Sequence, residues 1–345
     1  MKLLTHYLSE GLLDIDDTME TPEMYEINAD NYKESIWYNE KNVSGKNMVI
    51  GKTNTIRLIS SRESIFPKAV NVDLTGVEIK YDDGLFCLFN NSNKLKHFKL
   101  DSLKNSPDKL SLSYMFNNCS SLENVVFSGD PLYIKALNTR NMFRGCSKLK
   151  ELDLSSLDFS MCSDTYDMFD MCSNLRSIDF GLSVWKDKTC DTERMFNGCK
   201  ELRELDLTNV FSGKKIMLAD ALRLFNGCEN LRSIRGVLTF DFLNIDRSLT
   251  FGRCDKLEDV RIRIIPPRNP KVVNPTIHIQ NILPRISEES LKFFVENIGN
   301  VKNNSKYIGA KITVSSKEQM SRMSPGFGDW MRDELSSKGW NLEIK

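Results

Sequence analysis

The chain has 345 residues, enough for a sizeable core or for a repeat array without one central core. Lys plus Arg and Asp plus Glu both number 47, so the formal net charge is zero and no global field draws the chain to nucleic acid or to an anionic membrane. No run approaches about 18 consecutive apolar residues, so no membrane-crossing helix is expected. The nine cysteines, an odd number with no export signal, are expected as free thiols.

Residues 1–45 carry no repeat. Leu3, Leu4, Tyr7, Leu8 and Leu12 permit a short amphipathic helix. Polar residues interrupt the same stretch too early for a signal-peptide apolar region. The expected location is therefore the cytoplasm or a phage particle in preference to Sec export. An acidic linker follows. Within it, Asp14-Ile15-Asp16-Asp17-Thr18 matches the D-x-D-x-T nucleophile motif of haloacid-dehalogenase-type phosphatases. That chemistry needs the first Asp at the tip of a buried parallel strand, and no α/β domain surrounds it here. Residues 46–65 hold Met48-Val49-Ile50 and Ile56-Arg57-Leu58-Ile59, two strands expected to cover the first repeat unit. Gly51-Lys52-Thr53 has the ending of a phosphate-binding loop, but the glycine required at position 46 is Lys46.

From there a repeat governs the chain. Six cysteines stand at Cys119, Cys146, Cys172, Cys199, Cys228 and Cys254, at intervals of 27, 26, 27, 29 and 26 residues. A fixed period in this range marks a solenoid. Three residues before each comes Phe116, Phe143, Phe169, Phe196, Phe225 or Phe251. Three after comes Leu122, Leu149, Leu175, Leu202, Leu231 or Leu257. Only 19 residues of the chain are Phe, so a hit in every unit is not chance. Six and eight residues after the cysteine stand further apolar residues, such as Leu152 and Leu154 or Ile178 and Phe180. A seventh unit carries Ser92 in the cysteine slot, and a degenerate one starts at Phe66 with Val72 and Leu74 as its strand residues.

The unit reads M-F-x-x-C-x-x-L-x-x-L-x-L. Its final L-x-L alternates as a strand does. M-F-x-x-C has helical spacing, with Asp164-Thr165 and Asp191-Thr192 placed to cap a helix. The expected unit is one strand and one short helix. The resulting class is α/β: a leucine-rich-repeat solenoid with a curved parallel sheet, short helices or turns on the other side, and caps at both ends.

The period ends at Pro266, Pro267, Pro270 and Pro275, which remove ladder donors. Beyond them the pattern predicts strands at 277–279, 312–314 and 342–344. It also predicts a helix over 287–298 capped by Ser287 and a helix over 329–338 ended by Gly339. The domains are thus 1–45, a helix and acidic linker; 46–262, the solenoid with its N-cap at about 46–65; and 263–345, a Pro-rich connection and C-terminal cap.

The runs Leu149-Lys150-Glu151-Leu152-Asp153-Leu154-Ser155 and Met195-Phe196-Asn197-Gly198-Cys199 resemble the BspA-like leucine-rich repeats of bacterial surface and phage-associated proteins. The resemblance covers roughly residues 70–262 and implies a curved solenoid with adhesion or protein-binding roles.

Chemistry is not written into the repeat. The cysteines lie one unit apart, not in the close pairs that zinc thiolate sites favour, and a ladder of buried thiols explains them better. The three histidines, His6, His97 and His278, lie in different segments. No catalytic residue, cofactor or metal is expected. The variable strand positions are where binding can reside. Four residues after the cysteine slot, Lys150, Arg176, Arg203 and Arg232 are expected as a basic stripe. Seven after, Asp153, Asp179 and Asp206 are expected as an acidic stripe, joined by Arg235. The partner expected on this face is a protein, not nucleic acid. The alternative is a structural role in a phage particle or surface layer.

Overall fold

In the computed structural model, the L-x-L segments within each of two compact units lie side by side in parallel, each repeat forming one rung. Residues 24–27, 48–49, 55–58, 70–73, 78–81, 85–100, 110–127, 134–181, 190–210, 218–241, 250–265, 276–278, 285–303, 307, 309–314 and 320–344 are described. The helix expected over 3–12, the acidic run at 14–18, the Gly-Lys-Thr at 51–53, Phe66, Leu74 and the prolines of 266–275 lie outside them. The chain divides into two compact units, Met1–Ser183 and Val184–Lys345.

In the first unit, strands Met48–Val49, Asn71–Asp73, His97–Leu100 and Asn124–Phe127 pair in parallel, with Met48, Val72, Phe98 and Val125 in register. Glu151–Asp153 pairs with Ser177–Asp179, Leu152 opposite Ile178. Val72 is thus in register with the clear units, as the degenerate unit required. A second set of short strands, not foreseen as part of the repeat, completes the rungs. It joins Met24–Ile27, Thr55–Leu58 and Glu78–Tyr81, and separately Leu110–Ser111, Ile134–Asn138 and Leu157–Asp158. Leu152, Leu154, Ile178 and Phe180 are buried, because the pleat sends alternate residues to the same side.

The M-F-x-x-C segment is not a helix. Its amides alternate between two partners. Asn141, Phe143 and Gly145 donate to the carbonyls of Tyr166, Met168 and Asp170 in the next rung, while Met142, Arg144 and Cys146 donate to carbonyls three residues back. An α-helix would spend all of these on carbonyls four residues back. Two residues per rung take left-handed backbone to achieve this, one and five before the cysteine slot: Asn141 and Gly145, for example, or Arg194 and Gly198. The expected caps act locally instead. Asp164 Oδ1 accepts from the Tyr166 amide and Asp191 Oδ1 from the Glu193 amide, both Asx turns.

The Phe column lies inside these turns. Phe89, Phe116, Phe143 and Phe169 stack with centroids 5.3–5.7 Å apart and planes within 15°. The thiols serve as hydrogen-bond donors beside them. Cys119, Cys146 and Cys172 each donate to the Phe carbonyl of the preceding rung, Phe89, Phe116 and Phe143, at 3.0–3.2 Å. All nine cysteines are free and buried. Burial pushes the Cys119 thiol up to about 12 and raises Cys146 and Cys172 as well.

The second unit repeats this construction. Phe196, Phe225 and Phe251 stack at 5.4 and 5.5 Å, and Cys228 and Cys254 donate to the carbonyls of Phe196 and Phe225. Strand Glu204–Asp206 pairs with Ser233–Asp241, which pairs with Asp259–Ile265. At Gly236 the strand bulges. Its φ is +101°, and a Cβ there would stand 2.8 Å from the Leu207 carbonyl carbon, so only glycine fits. Leu238 then takes the buried place that Leu207 holds in its own rung. Gly236→Ala should therefore cost about 1–3 kcal/mol in chemical denaturation; an unchanged midpoint would show that the bulge relaxes freely.

The last part of this unit adds helices to the rungs. Thr276–His278, Lys311–Val314 and Asn341–Ile344 form a parallel sheet with Ile277, Ile312 and Leu342 in register. Helix α1, Glu288–Asn297, begins at Ser287, whose side chain accepts from the Ser290 amide. It buries Leu291, Phe294 and Val295. Helix α2, Phe327–Ser337, ends before Gly339, whose φ is +85°. These elements stand where the sequence placed them.

Candidate partner-binding face

The strands position the exposed face. Their burial pattern is exposed–buried–exposed in Glu151–Asp153, Ser177–Asp179 and Glu204–Asp206. Six residues after the cysteine slot the side chain enters the core, so the fifth and seventh positions point out together. Glu151, Ser177 and Glu204 join the face, and strict alternation along the strand was the available signal.

In the first unit, Lys150, Asp153, Arg176 and Asp179 are all exposed. The Arg176 amide donates to the Lys150 carbonyl at 2.7 Å, so these two cations stand on neighbouring rungs. Asp153 is directly opposite Asp179. Each carboxylate accepts through one oxygen from the backbone two residues on, Asp153 from Ser155 and Asp179 from Gly181, at 2.8 and 2.7 Å. This Asx turn ends the strand and engages one oxygen of each carboxylate with the backbone. Among the described residues, neither Lys150 nor Arg176 makes an ion pair or a side-chain hydrogen bond.

In the second unit, Arg203, Asp206, Arg232 and Arg235 are likewise exposed, and the Arg232 amide donates to the Arg203 carbonyl at 2.8 Å. Asp206 is opposite Arg235, and their charged groups approach to 3.9 Å with both side chains more than half exposed. Such a pair contributes about 0–1 kcal/mol. Hydrogen bonds from Thr208, side chain and backbone, hold the Asp206 carboxyl below its usual range, with Arg235 adding a smaller effect. Arg203 and Arg232 make no ion pair among the described residues. Arg261, on the next strand after that of Arg235, pairs with Glu289 of α1 at 3.1 Å.

Among the described residues, no three His, Cys, Asp or Glu side chains are grouped to hold a metal ion, and no helix is long and apolar enough to cross a membrane.

Residues 110–233 match a family described as Mycoplasma protein of unknown function, DUF285. The match spans the slots of Cys119, Cys146, Cys172, Cys199 and Cys228, less than half of the chain. No curated protein matches. Among solved structures, the chain is similar to an internalin (inlF) from Listeria monocytogenes str. 4b F2365, at 11% identity over 81% of this chain and 77% of that one, with a TM-score of 0.28. The parallel rungs, their apolar columns and the family match agree: the chain is a repeat protein of the leucine-rich type, a solenoid of stacked parallel strands.

Proposed function

We propose that the chain is a non-catalytic protein-interaction module of the BspA-like kind, which takes its partner on the exposed strand face. One observation carries the reading. Lys150 and Arg176 in the first unit, and Arg203 and Arg232 in the second, are exposed and make no ion pair among the described residues, although carboxylates stand on the same strands of each unit. A surface that only neutralised itself would interleave the signs, since like charges on adjacent rungs repel. The groups best suited to nucleophilic chemistry, the thiols, are instead buried donors within the core.

Charge reversal of Arg176 and Arg203 together tests this. Among the described residues neither side chain makes an ion pair, so the melting temperature should stay within about 3 °C. Capture of the native partner from the source organism should fall, most at low ionic strength, where charges are least screened. Deleting residues 1–20 provides the rival arm. Capture lost on deletion but retained in the double variant would refute the strand face as the site.

A further inference from the structure

We infer that the partner of the first unit is a protein segment carrying charges of both signs in alternation, and not a uniformly charged polymer. The inference rests on the strand-face reading and specifies its partner. Two lanes of unlike sign run side by side there. One contains Lys150 and Arg176, both exposed and without a side-chain partner among the described residues. The other contains Asp153 and Asp179, also exposed, with Glu151 between the lanes in its own rung. Within a rung, Lys150 and Asp153 are three residues apart, about 10 Å along an extended chain. That exceeds ion-pair contact and is close to the Debye length of about 8 Å at physiological salt. Neighbouring rungs are only about 4.8 Å apart. Lys150 and Arg176 therefore repel across one rung spacing, as do Asp153 and Asp179, and among the described residues no cation pairs with either of these two carboxylates. The second unit shows the compensated form, with Arg235 opposite Asp206.

A nucleic acid or an anionic membrane would gain from the basic lane and be repelled by the acidic lane beside it. An extended peptide sends successive side chains to opposite sides. Alternating Glu and Lys would then set carboxylates on one lane and ammonium groups on the other. Each Asp keeps a second oxygen for this, since only Oδ1 is engaged by the turn.

The test uses the full chain and four fluorescently labelled probes at low ionic strength: a peptide of alternating Glu and Lys, a Glu-only peptide, a Lys-only peptide and a short DNA duplex. The alternating peptide should bind about tenfold more tightly than either single-sign peptide or the duplex. Lys150→Glu with Arg176→Glu should abolish that preference. Asp153→Asn with Asp179→Asn keeps the turn acceptors and removes the charge, so it should raise binding of the Glu-only peptide several-fold. Duplex or Glu-only peptide binding as tightly as the alternating peptide would overturn the inference, as would no binding of the alternating peptide. Either result, with native capture still lost in the Arg176 and Arg203 double reversal, would leave the strand-face reading standing and remove only the two-lane partner.

Discussion

Phe169→Ala and Phe196→Ala should each cost about 3–5 kcal/mol of stability, the range for truncating a buried aromatic. Both rings are fully buried. Phe169 stacks on Phe143 at 5.7 Å and meets Phe180 edge-on at 6.2 Å, and Phe196 stacks on Phe225 at 5.4 Å. Truncation removes the transferred area and leaves a cavity that the neighbouring rungs cannot close, because their backbones are tied by rung-to-rung hydrogen bonds. In a linear array each rung contacts only its neighbours, so the loss should be felt locally and broaden the unfolding transition. Urea denaturation of each variant, followed by circular dichroism, gives the number. A cost below about 1 kcal/mol would mean that the column is not core.

Stability should be flat from about pH 6 to 8 and fall steeply above about pH 9. The folded state raises the thiols of Cys119, Cys146, Cys172 and Cys228 above their ordinary value of 9.0, chiefly by burial. A folded-state pKa above the unfolded one means that the neutral thiol's contribution is complete below the unfolded pKa. It is lost as pH rises toward the folded pKa, because only the unfolded chain releases the proton there. Each thiol then removes about 1.4 kcal/mol per pH unit. Four acting together approach roughly 5 kcal/mol per pH unit as pH climbs from about 9 to 10. Ionisation would also abolish the S–H donation to the Phe carbonyls. Denaturation midpoints across pH 7–10, with reductant present, measure the slope. Cys146→Ala should lower it by one thiol's share, whatever it does to stability at neutral pH. A flat profile to pH 10 would show that these thiols are not held neutral by the fold.

Much of this was readable in one dimension. The period, the register of Leu152 with Ile178 and of Leu205 with Ile234, the burial of the Phe and Cys columns, and the helix that begins at Ser287 follow from local residue chemistry. Each depends on spacing within a unit or on a capping side chain. The exposed charges at Lys150, Arg176, Arg203 and Arg232 were equally legible, because they occupy the gaps in an apolar pattern.

Tertiary structure decided the rest, for a definite reason. The M-F-x-x-C spacing suits a helix and a turn alike, since both bring a residue and its third neighbour together. What separates them is where the amides go, and here every second amide goes to a carbonyl about 25 residues away in another rung, as Phe143 does to Met168. One unit's sequence does not contain that partner. The glycine before the cysteine, at Gly145, Gly198 and Gly227, was the available hint of a turn, because left-handed backbone costs glycine least. The bulge at Gly236 is likewise a matter of contact with Leu207 in the rung before it. So is the pairing on the strand face. Composition alone permits Asp153 and Asp179 to neutralise Lys150 and Arg176. The Asx turns direct those carboxylates to the backbone amides of Ser155 and Gly181, and the cations stay open to solvent.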